Sequence, residues 1–396
     1  MTNQDVIQLT NEYILGTYKR FPVALDRGEG ATLTDFDGKT YLDFASGIGV
    51  CSLGYGNDRW VEAIARQAKK LPHTSNLYYT EPVALVAKSL CERTGMKGAF
   101  FSNSGAEANE GAIKLARKYS FDRYGAGRNR IVTLYHSFHG RTVTTLAATG
   151  QDVFHQYFFP FTEGFLYAEP NDFESVRNTC DKSVCAVMME LIQGEGGVLP
   201  LEKSFVQQVA AFCKENDILL IVDEVQTGVG RTGTLFCYQQ YGVEPDVVTF
   251  AKGIAAGLPF GGVLAAKSCS GVLTPGTHAT TFGGNPICAA GATVVLDTLT
   301  PEFLADVTGK GAYIRAQIAG WSLPVVSSVR GLGLMIGVGV TCSHRDAVVK
   351  LLAGGLLALT AGEDTIRLMP PLAITKDEID AGLAILKQVL SACETK

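Results

Sequence analysis

The sequence predicts an α/β fold with a large domain around a mainly parallel sheet and a smaller α/β domain assembled from both termini. Three observations carry this. Short, continuous apolar runs alternate with longer helical patterns through the middle of the chain, as strands covered by helices on both faces require. The chain has 396 residues, enough for about two to four structural units. It is 46% hydrophobic and 18% charged, which supplies a sizeable core and excludes a disordered or fibrous protein.

Taken in order, residues 1–50 hold two Gly-punctuated β-like segments, near 31–35 and 40–44. Residues 97–101 read as a short strand entering a turn, and 105–118, rich in Ala, Glu and Lys, as a helix. Residues 130–135 and 185–192 are β-branched or apolar runs. Apolar residues at 205, 206, 209, 210, 212 and 213 fit a helix that leads to Asn216. The runs 219–222, 246–250 and 262–266 follow as further short strands. A small-residue helix is expected over 286–299, then short β-like runs and an amphipathic helix over 376–392. The expected large domain is therefore 51–285, and the small domain combines 1–50 with 286–396.

Composition removes several function classes. The net charge is −5, from 34 Lys+Arg against 39 Asp+Glu, so no general field attracts nucleic acid or an acidic membrane. Residues 1–10 lack a basic run followed by an apolar core, so no secretory signal is expected. The nearest approach to a membrane span, 253–266, is too short and is broken by Gly257, Pro259, Gly261 and Gly262. Ten cysteines stand singly, none in a C-x-x-C pair. That argues against a zinc or thioredoxin-type site and points to a reducing, cytoplasmic setting.

Four segments carry candidate chemistry. Asp223 closes the apolar run 219–222, at the carboxyl end of an expected central strand, where open α/β sheets bind ligands. With Gln226 three residues on, its carboxylate can pair with a cationic ring nitrogen; the commoner fate of a lone Asp is a helix cap or a solvated loop. Lys252 closely follows another apolar strand among small and apolar residues. Partial burial lowers an amine's proton affinity and makes it a nucleophile toward an aldehyde, whereas most lysines snorkel to the surface. Ser104-Gly105-Ala106 forms a small-residue turn into a helix, whose free N–H groups suit a phosphate or, more plainly, an N-cap at Ser104. In Ser137-Phe138-His139-Gly140-Arg141-Thr142, the phenyl ring can stack on a planar group and the guanidinium can hold a carboxylate. His136 and His139 lack a carboxylate or cysteine at ligand spacing, so no metal is expected. Together these weak signals describe an aldehyde-bearing, phosphorylated, cationic aromatic ring, which is pyridoxal 5'-phosphate.

At these residues the chain resembles the class III aminotransferases of fold type I, over essentially its whole length. The ordered motifs include Asn103-Ser-Gly-Ala-Glu-Ala-Asn, Phe138-His-Gly-Arg-Thr, Gln193-Gly-Glu-Gly-Gly, Asp223-Glu-Val-Gln-Thr-Gly, Ala251-Lys-Gly, Thr281-Phe-Gly-Gly-Asn-Pro and Ile366-Arg-Leu-Met-Pro-Pro-Leu. Within the family, Val329-Arg-Gly-Leu-Gly-Leu-Met-Ile-Gly is most similar to the acetylornithine branch of arginine biosynthesis. The resemblance implies a terminal amino transfer from acetylornithine to 2-oxoglutarate. Lys252 would be the Schiff-base lysine and Asp223 the partner of the pyridine nitrogen. Gln226 would touch the ring hydroxyl, with Val225 beneath the ring and Phe138 above it. Gly105 and Ala106, with Ser104 before them, would hold the phosphate. Thr281 would reach the phosphate in the other subunit, which implies a homodimer with shared sites. Arg141 would grip the substrate carboxylate, Thr280 would line the acceptor pocket, and Glu195 would screen Arg367 until 2-oxoglutarate arrives.

Two positions depart from the family pattern: Leu191 stands where proline is frequent after Glu190, and Ala279 where glycine is common after His278. Donors other than acetylornithine, namely 4-aminobutyrate, succinylornithine or ornithine, remain alternatives. Where ornithine aminotransferases usually carry a tyrosine, this chain has Ile48, which offers the α-ammonium of ornithine no partner. A different class, a nicotinamide-dependent dehydrogenase, rests on Gly228-Val-Gly230-Arg-Thr-Gly233. Its following residues, Thr234-Leu235-Phe236-Cys237, are poor helix material, and no acid closes a second strand about 20 residues on. A binding protein on the same fold would not need Lys252.

Overall fold

The computed structural model of the chain describes residues 1–394. A seven-stranded sheet forms the centre, in the order Gly98–Ser102, Gly261–Ala265, Val247–Phe250, Leu219–Asp223, Val184–Met189, Arg130–Leu134 and Phe165–Ala168. Every residue of Val184–Met189, Leu219–Asp223 and Val247–Phe250 is buried. This explains why these strands read as unbroken apolar runs and do not alternate. Leu219–Asp223 runs parallel to both neighbours, with Val222 opposite Met189 on one side and Val248 on the other.

One strand is reversed. Gly261–Ala265 pairs antiparallel with both Val247–Phe250 and Gly98–Ser102. Only residues 251–260 separate it from the preceding strand, and a parallel return needs a crossover of a dozen residues or more. The short link forces the chain straight back. It also keeps Lys252 and the turn that follows it at the sheet's carboxyl edge.

The helix Gly105–Tyr124 extends six residues past its expected end at 118 and stops at Gly125, whose φ is 74°. Ser104 caps it by accepting from the Glu107 amide. The apolar run expected over 185–192 divides into the strand Val184–Met189 and a two-residue strand, Ile192–Gln193, paired with Leu199–Pro200. Glu190 lies at the break.

Both ends of the chain meet in one sheet. Leu25–Glu29, Thr32–Asp35 and Thr40–Asp43 are joined by Leu356–Leu357, which lies parallel to Thr40–Asp43. A second sheet orders Val326–Leu332, Met335–Val340, Thr365–Leu368 and Leu359–Ala361. The helix Lys376–Ser391 begins with a Thr375/Glu378 capping box, and its Gly382 admits the Phe44 ring at a distance no side chain would allow. Helix Pro286–Thr298 lies against Asp58–Lys70, Glu81–Thr94 and the turn Lys252–Ala255, all beside the large sheet. Its small residues permit this: Gly291 faces the Trp60 indole so closely that a methyl group would fall 2.9 Å from Nε1. The N-terminal helix Asn3–Tyr13, capped at Thr2, is not expected from the sequence pattern, because none of its residues is buried and its periodicity is weak.

Candidate active site

The carboxyl ends of the central strands open onto a cavity of about 430 Å³. Its wall includes nine of the expected site residues: Ser104, Gly105, Ala106, Phe138, Arg141, Asp223, Val225, Gln226 and Lys252. Each follows from local structure. Asp223 ends its strand, and Lys252 lies two residues beyond Phe250. Gly105 and Ala106 start the helix after Ser102, and Phe138 and Arg141 lie on the loop after Leu134.

Asp223 is buried and held by three donors. Asn109 Nδ2 and His139 Nδ1 each lie 2.8 Å from Oδ2, and the Val225 amide donates to Oδ1 at 3.0 Å. Asn109 also donates to the His139 carbonyl, so helix, loop and strand are tied at one carboxylate. Sequence reasoning misses both side chains in this role and weighs His139 only as a metal ligand. A signal exists for Asn109: it stands three and four residues past Ala106 and Gly105, on the same helix face. Among the described residues no three His, Cys, Asp or Glu side chains converge as a metal set.

Lys252 is partly buried on the cavity wall. Burial pushes its ammonium below the usual lysine range; Glu195 opposes that shift and Arg367 reinforces it. Its φ is 50°, in a region L residues seldom adopt, at the head of the short turn Lys252–Ala255. Ser52 Oγ steadies that turn through the Gly253 carbonyl, 2.7 Å away.

At Gly105 an added methyl group would lie 2.6 Å from Val225, so glycine lets the first helical turn close on the floor of the cavity. Its N–H and that of Ala106 belong to the first turn, which has no partner within the helix. Phe138 packs edge-on against Phe154, and the Arg141 guanidinium lies over Phe154 at 4.1 Å. The wall thus offers amides for a phosphate, a carboxylate for a ring cation, an aromatic face and a buried amine. A phosphorylated pyridine aldehyde fits that set, and a dry, metal-free nucleotide site does not need the amine.

Arg367 and Glu195 pair beside the cavity. Arg367 Nη1 donates to Glu195 Oε1 at 2.6 Å and to Gln226 Oε1 at 3.1 Å. The guanidinium is buried and Glu195 partly so. Burial alone would raise the Glu195 carboxyl, but the Arg367 charge and hydrogen bond bring it below the usual range. Arg367 Nε has no partner.

Two expected residues lie elsewhere in the single chain. Thr280 and Thr281 line a separate, open cavity beside Tyr78 and Tyr79. Thr280 Oγ1 accepts from Asn103 Nδ2 and from the Gly283 amide, both at 3.3 Å. Ile48 is 44% exposed at φ 67°, and Val50, not Ile48, reaches the cavity wall. The Gly228–Gly233 segment forms turns and opens no helix; its Arg231 is buried and bonds the Leu334 and Pro370 carbonyls. It is a structural knot between distant loops, and the dinucleotide reading fails there.

Glu224, next to Asp223, is fully buried, and burial pushes its carboxyl up to about 7. It accepts from Thr227 Oγ1 and the Tyr238 amide. A raised folded-state pKa gives stability that is complete below about 4.5 and is lost as pH rises through about 7. Glu224→Gln keeps the amide contact and lets Thr227 turn to accept. Its stability over the unsubstituted protein should therefore be negligible at pH 4.5 and on the order of 1–3 kcal/mol at pH 8. Denaturant midpoints at the two pH values measure this; a pH-independent difference would contradict it.

A family model described as "Aminotransferase class-III" matches residues 14–390. The chain is 50% identical to the acetylornithine aminotransferase of Haemophilus ducreyi over 394 residues, 99% of this chain and 100% of that one. Its fold matches the N-acetylornithine aminotransferase of Stenotrophomonas maltophilia with a TM-score of 0.84 at 36% identity, covering 98% of each chain. It matches an ornithine aminotransferase from Toxoplasma gondii with a TM-score of 0.95 at 30% identity, covering 99% of this chain and 94% of the other. That structure contains pyridoxal phosphate at partial occupancy in the active site.

Proposed function

The chain belongs to the class III aminotransferases and is a pyridoxal-phosphate enzyme, and on that premise we propose that it transfers the terminal amino group of N2-acetyl-L-ornithine to 2-oxoglutarate. The products are N-acetyl-L-glutamate 5-semialdehyde and L-glutamate. The observation that carries the reading is the 2.6 Å pairing of Arg367 with Glu195 beside the cavity. A donor that reacts at a terminal amine has no carboxylate on the reacting carbon. It tolerates a covered arginine, whereas a dicarboxylic oxo acid needs the arginine free.

When bound, pyridoxal phosphate supplies an aldehyde for the amine and a ring that accepts the electron pair of the cleaved C–H bond. The protein supplies the rest. The Gly105 and Ala106 amides would hold the cofactor's phosphate. Asp223 would pair with the ring cation and keep it protonated, and Gln226 would take the ring hydroxyl. Phe138 and Val225 would flank the ring. Lys252 Nζ, whose ammonium burial disfavours, would take the proton from the amine-bearing carbon and return it one position away. Arg141 binds the α-carboxylate of the donor. In the second half Glu195 leaves Arg367, whose guanidinium then receives the carboxylate next to the reacting carbon of 2-oxoglutarate.

The reading includes a homodimer in the cytoplasm. Thr280 and Thr281 stand with exposed Tyr78, Tyr79 and Phe282 on one surface, suited to complete a partner's site. All ten cysteines are free, which suits a reducing compartment.

The donor decides the proposal. Acetylornithine carries a neutral acylated nitrogen, and free ornithine an α-ammonium that Val50, the residue of this segment on the cavity wall, leaves without a hydrogen-bond partner. Acetylornithine should exceed ornithine by about 10²-fold in kcat/KM, the cost of one poorly paired polar group. Succinylornithine and 4-aminobutyrate complete the panel, each with 2-oxoglutarate as acceptor. Turnover of ornithine equal to or above that of acetylornithine would refute the assignment.

A further inference from the structure

Glu190 is a buried acid that the transamination mechanism leaves without a task. It lines the same cavity as Lys252 and Asp223. It occupies the break between the strand Val184–Met189 and the short strand Ile192–Gln193. Its two oxygens go to two different loops. Oε1 accepts the Phe138 amide at 2.8 Å, from the loop that carries Phe138 and Arg141. Oε2 accepts the Gly194 amide at 3.3 Å, from the loop that carries Glu195.

Both loops are crowded around those contacts. A methyl group on Gly194 would fall 2.2 Å from the Gln226 amide oxygen, and one on Gly196 would fall 2.7 Å from the His136 carbonyl. Gln193 Nε2 also bonds the Tyr135 carbonyl at 2.7 Å. The Glu195 loop therefore threads between Gln226 and the base of the Phe138 loop. Glu190 holds an amide from each.

We propose that Glu190 is a positioning residue that keeps the Glu195 loop in register with the Phe138 loop, and so sets how well the site tells a terminal-amine donor from one with a carboxylate on the reacting carbon. This rests on the transaminase reading. Glu195 covers Arg367 only while its backbone is held at Gly194. A loosened Gly194 lets the carboxylate drift, so Arg367 is neither fully covered for one half-reaction nor cleanly released for the other.

Glu190→Gln separates the two contacts. An amide has one acceptor oxygen, and its NH₂ faces the second N–H with the wrong sign. The shorter Phe138 contact is the one retained, and the Gly194 contact is lost. The test uses holoenzyme and stopped-flow half-reactions, with acetylornithine or L-glutamate as the amino donor. The expected result is a fall of about tenfold in the preference for acetylornithine over glutamate, the scale of one charge-assisted hydrogen bond. Glu195→Ala in parallel should lower the same preference at least as far.

A purely structural Glu190 would lower the denaturation midpoint and slow both donors equally, with the preference unchanged; that result overturns the proposal. Should Glu190→Gln fail to fold, Glu190→Asp keeps the charge but shortens the reach, and the same ratio decides. An enzyme that turns over no terminal amine overturns the transaminase reading and this inference together. An active enzyme with an unchanged ratio overturns this inference alone.

Discussion

Lys252→Ala should reduce turnover by roughly 10⁴-fold or more, because the attacking amine and the proton carrier are lost in one substitution. The effect follows from the partly buried place of Lys252 beside Asp223 and Glu195, where burial holds the amine below the usual lysine range. Among the described residues no other lysine lines the cavity. The substituted protein should still bind the cofactor, because the Gly105 and Ala106 amides and Asp223 are untouched. In the unsubstituted enzyme, borohydride should attach the cofactor to Lys252 alone, as mapped by peptide mass. Residual turnover within tenfold, or label on another lysine, would show that a different amine does the work. Because the neutral amine is the active form, the rate should also fall as pH drops and the ammonium forms.

Asp223→Ala should lower turnover by about 10³-fold, the scale of leaving one member of a buried charge pair without its partner. Three donors lose their acceptor at once: Asn109 Nδ2, His139 Nδ1 and the Val225 amide. The ring nitrogen would lose the charge that keeps it protonated, so the electron pair left by proton removal has no sink. Asp223→Glu should recover part of the rate, since it restores the charge at a displaced position. Single-turnover rates and the visible absorbance of the bound cofactor together distinguish lost chemistry from lost binding. A cofactor-loaded Asp223→Ala enzyme that retained more than a tenth of the rate would show that Asp223 is not what keeps the ring nitrogen protonated.

Much of the site is legible because each part is local. An apolar strand followed at once by Asp223, another followed shortly by Lys252, and a turn of small residues opening a helix at Gly105 all report their surroundings within a few positions. The order of strands in the sheet then brings their carboxyl ends together without further information. Thr280 and Thr281 show the limit of that reasoning: the chain places them in a cavity apart from the one that Lys252 lines. Ile48 shows another, since its neighbour Val50 reaches the cavity wall.

By itself the sequence determined the α/β class, the strands that build the central sheet, and the chemical groups at their ends. Burial and period are properties of neighbouring residues, and they survive any choice of path for the rest of the chain. The tertiary structure alone decided what distant groups share. Asn109 and His139 meet Asp223 across 114 and 84 positions, and Arg367 meets Glu195 across 172. Only the family resemblance implies the last of these contacts. Glu190 spans 52 positions to reach Phe138. The reversal of Gly261–Ala265, the positive φ of Lys252 and the burial of Arg231 belong to the same class. Each depends on where the backbone returns, and that is set by the packing of whole elements, which local pattern does not encode.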